Sequence, residues 1–401
     1  FITSCYPFGK NTILLGDANG QYYAFFAELI DRVRHGKSLF FSWEKGLGYD
    51  FYSNFFYYLA SPINLIVVII GEKYIELSMI ITMCIQVGMC GVTMTYYLIH
   101  TRRNKMEKSN LNDFACVVFS MSYTMCDYML AYKYNVLWLM CLVIVPILLL
   151  GVEDLVDKGK WGLYFTSLTL SFVFNFYFSW FVAIMSIIWF VDSVKANWVI
   201  FIKRGAVFVI TSILSAVCTC VILLPCFLAV FSKNYSGKVD NSVTKATWGN
   251  MSNCLQSFFW GNNLDVYGKM LFGRNMYLGI AVLVISILYM FNKKIDLYSR
   301  IKRLVGIVLL IACSDWVGAI YVLHGFTLPH LLSCRYGFIL TILILVSAFE
   351  CIAKYEKVGY VRVLVVLTIL LILSGYIFAK NTNIQSIVCY MVTLLLGAYV
   401  I

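Results

Sequence analysis

The strongest constraint on this chain is the length of its apolar runs. From residue 74 onward, hydrophobic stretches approach twenty residues again and again, at about 74–99, 113–130, 135–151, 161–173, 177–192, 204–231, 276–291, 304–324, 332–353, 360–379 and 384–401. A helix of about twenty apolar residues crosses the hydrocarbon core of a bilayer. The runs are continuous rather than alternating, which points to helices and excludes a membrane β-barrel. Some are short, so neighbouring runs are expected to tilt or to re-enter the same face. Paired aromatic residues near the run ends supply the interfacial belt expected of such helices. The chain is therefore expected to be an all-α polytopic membrane protein of about 10–12 spans.

Charge gives the orientation. The net charge of +11 would suit nucleic acid if it formed one patch, but the basic residues sit in short loops between the apolar runs. Arg102, Arg103, Lys105 and Lys108 share one loop, Lys158 and Lys160 the next such loop, and Lys195, Lys203 and Arg204 a third. Lys293, Lys294, Arg300, Lys302 and Arg303 form a fourth, and Lys354, Lys357 and Arg362 a fifth. The short loops between these carry only Lys133, Arg335 and Lys380, so the basic set is read as cytoplasmic and nucleic acid is not expected as a partner.

This topology places residue 74 outside, and residues 1–54 contain no run long enough to cross. Residues 1–73 then form a first outer loop, in which the stretch 55–70 must begin and end on the outer side. Its aromatic start and its interruption at Pro62 predict an interfacial or re-entrant helix. Residues 74–401 form the multi-helix membrane domain, with a second outer loop at 232–275. No soluble domain, low-complexity tract or internal repeat is apparent. Most of the fourteen cysteines lie inside apolar runs, where they behave as small hydrophobes. Cys5, Cys254 and Cys334 fall in outer loops without CxxC or Cys/His metal spacing, so no metal site is expected.

The unusual polar residues gather on the outer side. Asp17 and Asp50 lie in the first outer loop, in Gly16-Asp17-Ala18-Asn19-Gly20-Gln21-Tyr22 and Gly48-Tyr49-Asp50. Asp127, Lys133 and Asn135 flank one outer turn, Asn175 and Tyr177 another, and His324, His330 and Arg335 a third. A transport path would place such groups at several depths, the midplane above all. Only Asp315, near the middle of its run, has that position, and a structural ion pair fits it as well as a catalytic or ion-coupling role. For Asp17 the alternatives are a turn residue and a catalytic acid. For Arg335 they are a headgroup-snorkelling cation and a grip on a lipid phosphate.

Tyr132-Lys133-Tyr134-Asn135-Val136-Leu137-Trp138-Leu139, Pro146-Ile147-Leu148-Leu149-Leu150-Gly151 and Asn175-Phe176-Tyr177-Phe178-Ser179-Trp180 closely resemble motifs of the YfhO family of bacterial membrane proteins. So do Gly16-Asp17 with Gln21-Tyr22, Gly46-Leu47-Gly48, Tyr58-Leu59-Ala60-Ser61-Pro62-Ile63-Asn64, Tyr277-Leu278-Gly279, and His324-Gly325-Phe326 followed by Arg335-Tyr336-Gly337-Phe338. The resemblance implies a GT-C-like bundle with an outer catalytic loop, located in the bacterial cytoplasmic membrane. It implies transfer of a sugar from a polyprenyl-phosphate donor to an envelope polymer such as lipoteichoic acid. By the same resemblance Asp17 is the catalytic carboxylate and Arg335 binds the lipid phosphate, while Gln21, Tyr22, Asn135, Asn175, Tyr177 and His324 line the site. Asp50 is a second acid that would orient Asp17 or hold a divalent metal; no cofactor is otherwise implied.

The family pattern also includes a helix before the catalytic loop and a large outer domain after the membrane part. The chain starts at Phe1 without a methionine and stops at Ile401, so it is read as a fragment or a reduced homologue. Two rival readings remain: a transporter or lipid or polysaccharide flippase, and a non-catalytic scaffold for envelope assembly.

Overall fold

The first segment shows how local chemistry sets the elements. Helix α1 (Tyr23–His35) is entered through a π-helical turn, Ala18–Tyr22, and is closed by Gly36 in the left-handed region at φ 61°. Its last turn carries Arg32, Arg34 and His35, cations that suit the negative end of the helix dipole. A short antiparallel hairpin follows, β1 (Phe41–Ser42) and β2 (Tyr49–Asp50), with Phe41 opposite Asp50 and Ser42 opposite Tyr49. One carboxylate ties this hairpin to α1: Glu28 accepts from Arg32 Nε at 2.8 Å, Ser42 Oγ at 2.5 Å and Tyr49 Oη at 2.5 Å. Burial and the adjacent Glu28 carboxylate push the Tyr49 phenol above its ordinary pKa.

The structure is a computed structural model. It describes residues 6–232, apart from 13, 15, 105, 107–109 and 196, and residues 274–354, apart from 327, 328, 330, 331 and 333. It also describes 255, 257, 258 and scattered positions between 362 and 376. Most of the expected outer loop 232–275 and the expected span 384–401 lie outside the described residues. The chain divides into two compact units: residues 1–94, 133–187 and 199–237, and residues 95–132, 188–198 and 238–401.

In the first unit the stretch 55–70 is two arms, not one helix. Helix α2 (Phe51–Asn54) continues as a π-helical turn, Phe55–Leu59, and a 3₁₀ turn, Pro62–Asn64, leads into α3 (Leu65–Ile70). The arms Phe51–Leu59 and Pro62–Ile70 meet at 96°. Pro62 starts the second arm, where its missing N–H costs nothing, and Asn64 Nδ2 donates to Leu59 O at 3.0 Å across the bend. Beyond it run α4 (Ile75–His100) and α9 (Phe178–Ser193), whose residues 95–100 and 188–193 belong to the second unit, and α7 (Val136–Lys158), α8 (Gly162–Phe174), α10 (Trp198–Cys218) and α11 (Cys220–Ser232). Helix α7 is buried almost throughout and packs closely on α8: a Cβ on Gly151 would lie 2.6 Å from Tyr164 N, so only glycine permits this approach.

The second unit contains α5 (Asn110–Thr124), α6 (Asp127–Tyr132), α12 (Ile280–Tyr289), α13 (Leu297–Cys313), α14 (Val317–Leu323) and α15 (Gly337–Ala353). Helix α15 is nearly all apolar and buried, with Phe349 edge-on to Phe119 of α5 at 5.6 Å. Ile280 and Val284 of α12 form a small core with Val366 and Leu370.

Among the described residues, Glu72–His100, Val136–Lys158 and Trp198–Cys218 are by length and composition able to cross a membrane, and the bent pair adds a fourth if it counts as one span. Other apolar runs fold as shorter helices because the backbone breaks inside them. The run 204–231 is interrupted at Thr219, whose hydroxyl bonds back to Ser215 O at 2.8 Å. The run 304–324 is interrupted between α13 and α14, where Ser314 Oγ bonds Ile311 O at 2.7 Å. Asp315 therefore sits at a helix break rather than within a continuous span, and its carboxylate is paired with Arg274. The cysteines among the described residues form no disulfide.

The cations read from sequence as loop residues are not all solvated, and Arg303 lies within α13. Arg103 and Arg303 are buried, and their guanidiniums meet Asp192 at the end of α9 and Glu350 near the end of α15. Arg103 Nη2 lies 2.7 Å from Asp192 and Nη1 lies 3.2 Å from Glu350; Arg303 holds Asp192 through two nitrogens at 2.8 and 2.5 Å. Both guanidiniums also lie over the Trp189 ring, at 4.6 and 5.5 Å.

Candidate active site

Asp17 stands just ahead of the π-helical turn Ala18–Tyr22, at an N-cap position, where an aspartate ordinarily accepts a backbone N–H. It makes no such bond. Its exposed carboxylate instead accepts from Gln21 Nε2 at 3.3 Å, and Gln21 Oε1 accepts from Tyr58 Oη at 3.3 Å. Asn135 repeats the pattern: it is the N-cap of α7 without capping it, and its Oδ1 accepts from Tyr22 Oη at 2.7 Å. The remaining amide nitrogen of Asn135 is buried without a hydrogen-bond partner. Two side chains suited to capping are thus turned away from the helix ends, toward a shared group of phenols and amides.

The second π-helical turn, Phe55–Leu59, supplies the other wall. Tyr58 packs on Tyr22 at 5.6 Å and on Phe25 at 4.7 Å, and Tyr57 packs on Tyr177 at 5.5 Å. Asn175 fixes this wall in place, since its Nδ2 donates to Tyr57 O at 2.7 Å and to Leu137 O at 3.3 Å. Its Oδ1 accepts from Phe178 N at 2.7 Å and so caps α9. A π-helical turn widens the helix by one residue and re-aims its side chains, and such turns recur at functional sites. Here two of them present Gln21, Tyr22, Tyr57 and Tyr58.

The first unit thus brings together Asp17, Gln21, Tyr22, Asn135, Asn175 and Tyr177. Asp50 is engaged elsewhere, because it caps α2, accepting from Ser53 N at 3.2 Å and Ser53 Oγ at 2.5 Å. Lys133, in the turn before α7, lies 5.3 Å from the Tyr134 ring, and burial lowers its pKa. Tyr57 and Tyr58 read from sequence as interfacial aromatics rather than site residues. The available signal is that Tyr58 opens the motif Tyr58-Leu59-Ala60-Ser61-Pro62.

Arg335 and His324 belong to the second unit. Arg335 precedes α15, and its backbone carbonyl accepts from Tyr128 Oη at 2.5 Å. Gly337 lets this turn close, because a Cβ there would come within 3.2–3.4 Å of Cys334, Tyr128 and the Arg274 carbonyl. His324 ends α14, its Nδ1 within 2.8 Å of Ile320 O and its ring 5.6 Å from Tyr336. His330 lies outside the described residues. Among the described residues no three His, Cys, Asp or Glu side chains gather as a metal-binding set.

A family model described as bacterial membrane protein YfhO matches the chain over residues 1–401. No curated protein and no solved structure matches it.

Proposed function

The chain belongs to the YfhO family of bacterial membrane proteins, and from that premise we propose that it is a GT-C type glycosyltransferase, carrying a sugar from a polyprenyl-phosphate donor to an envelope polymer on the outer side of the membrane. The observation that carries this reading is Asp17: an exposed carboxylate at a helix start that caps nothing, forms no ion pair among the described residues, and is held by an amide from Gln21.

In the proposed step an acceptor hydroxyl attacks the anomeric carbon as the bond to the phosphate breaks. Asp17 takes the hydroxyl proton, and the phosphate leaves with the bonding pair, steadied by Arg335. Because the leaving group is already an anion, one carboxylate suffices and the displacement inverts the anomeric centre, unlike the paired carboxylates of retaining glycosidases. Neutral neighbours suit this role. Gln21 and Tyr58 orient the carboxylate without neutralising it, and Tyr22 with Asn135 offers hydrogen bonds to sugar hydroxyls. Asp50, engaged as a helix cap, is assigned no proton.

The test is the sugar content of the envelope polymer in cells carrying Asp17→Asn or Arg335→Ala, at matched protein level. Loss of sugar in both supports the mechanism; full glycosylation with Asp17→Asn refutes it. A transporter reading has one observation in its favour, the Arg274–Asp315 pair at a broken helix. It predicts that Asp315→Asn abolishes function while Asp17→Asn does not.

A further inference from the structure

The hairpin between α1 and α2 displays large apolar side chains in a long segment without a run able to cross a membrane. Trp43 is 76% exposed, Phe40 71% and Leu47 97%, with Leu39 and Phe41 exposed beside them. An apolar patch of this kind on a short polar segment marks a contact surface.

The patch is rigidly supported. Glu28 fixes Ser42 and Tyr49 to α1 from below. Phe40 stacks on Tyr52 at 5.5 Å, and Phe41 meets Trp43 edge-on at 4.8 Å. Gly48, at φ 96°, leaves room for the Phe41 ring, which any Cβ there would strike. Ordered support under exposed aromatics is what a surface needs if its partner is to bind without paying to order it.

The hairpin's position names the partner. Residue 50 ends β2 and residue 51 begins the apolar bent pair, so the hairpin is continuous with that pair. Both ends of the pair are held by the last turn of α1: the Arg32 guanidinium lies 4.2 Å over the Phe51 ring, and Arg34 Nη2 donates to Val68 O at 3.2 Å. Both ends of the pair therefore lie beside the last turn of α1, where the hairpin also begins. Lys45 adds a cation at the patch, its ammonium 5.9 Å from the Phe25 and Tyr49 rings. Tryptophan, phenylalanine and a snorkelling lysine are the residues that settle among lipid headgroups.

We propose that residues 39–47 form a finger that rests in the headgroup region of the bilayer, with Trp43 and Leu47 lying among the lipids. The finger fixes the height of α1, whose opposite end carries Asp17, above the hydrocarbon boundary. This holds whichever chemistry the Asp17 site performs.

The test places the photoreactive residue p-benzoylphenylalanine at position 47, and separately at 43, in the full chain reconstituted into phosphatidylglycerol–phosphatidylethanolamine liposomes. Irradiation followed by intact-protein mass spectrometry should give a phospholipid adduct as the dominant product at both positions. The same probe at the exposed Lys10 is the control. A product crosslinked to a second copy of the chain, or no lipid adduct above the control at either position, overturns the proposal.

Discussion

One carboxylate of the first unit and two of the second are held in opposite ways. In the first, Asp17 is exposed and meets an amide; in the second, Asp192 and Glu350 are buried against Arg103 and Arg303. Two arginines face these two acids, and Lys354 Nζ also lies 2.7 Å from Glu350. Such a cluster ties α9, α13, α15 and the loop after α4 together and leaves no carboxylate able to take a proton. Taking one member away strands a buried charge. Removing the Asp17 charge strands nothing, since its neighbours are neutral. On the proposed function, the contrast separates a group held for chemistry from groups held for architecture.

The largest stability effect belongs to the charged cluster. Arg303→Ala should cost about 3–5 kcal/mol, read as a lowered unfolding temperature in detergent or liposomes, and a drop no larger than that of an exposed substitution would break the comparison. Next is Gly151→Leu, which drives a side chain into the α8 backbone at Tyr164. Overpacking of this kind costs about 1–3 kcal/mol or more, and thermal unfolding of the reconstituted protein would detect it. Tyr22→Phe removes the buried bond to Asn135 and should cost about 1–2 kcal/mol, with a loss of transfer activity that the Arg303 variant, once corrected for folded protein, does not share. Smallest is Gln21→Ala. At an exposed position its effect on stability should stay within about 0.5 kcal/mol, while transfer falls because Asp17 loses its orienting amide; unchanged turnover would remove Gln21 from the site.

The sequence revealed the class of fold because run length and continuity report directly on helices that meet lipid. It did not reveal where runs break. Neither Thr219 nor Ser314 is a proline or glycine, and the hydroxyl of each bonds its own helix backbone, as serine and threonine also do inside intact helices, so neither break carries a distinct mark in sequence. The bend at residues 60–62 was better marked, because Pro62 is visible in sequence. Arg103 lies in a loop as the charge pattern suggests, but Arg303 lies inside α13, and the burial of both depends on Asp192 and Glu350, far away in the chain.

At the site, Asp17 and Asn135 were legible as polar residues in an apolar chain and Gln21 and Tyr22 through the family resemblance, and the structure hydrogen-bonds Gln21 to Asp17 and Tyr22 to Asn135. The contribution of Tyr57 and Tyr58 was not, since it follows from a π-helical turn that leaves no periodic trace in sequence. Asp50 illustrates the converse. Its sequence setting matches that of Asp17, but a serine three residues later makes it a helix cap.

The central claim is that Asp17 is held for proton transfer and not for folding. The most direct measurement compares wild type and Asp17→Asn, purified into lipid nanodiscs with a polyprenyl-phosphate sugar and the envelope-polymer acceptor. Release of polyprenyl phosphate and thermal unfolding are read on the same samples. The account predicts at least about a 100-fold loss of release with an unchanged unfolding temperature. Release at the wild-type rate, or a loss that merely tracks lost folded protein, would contradict it.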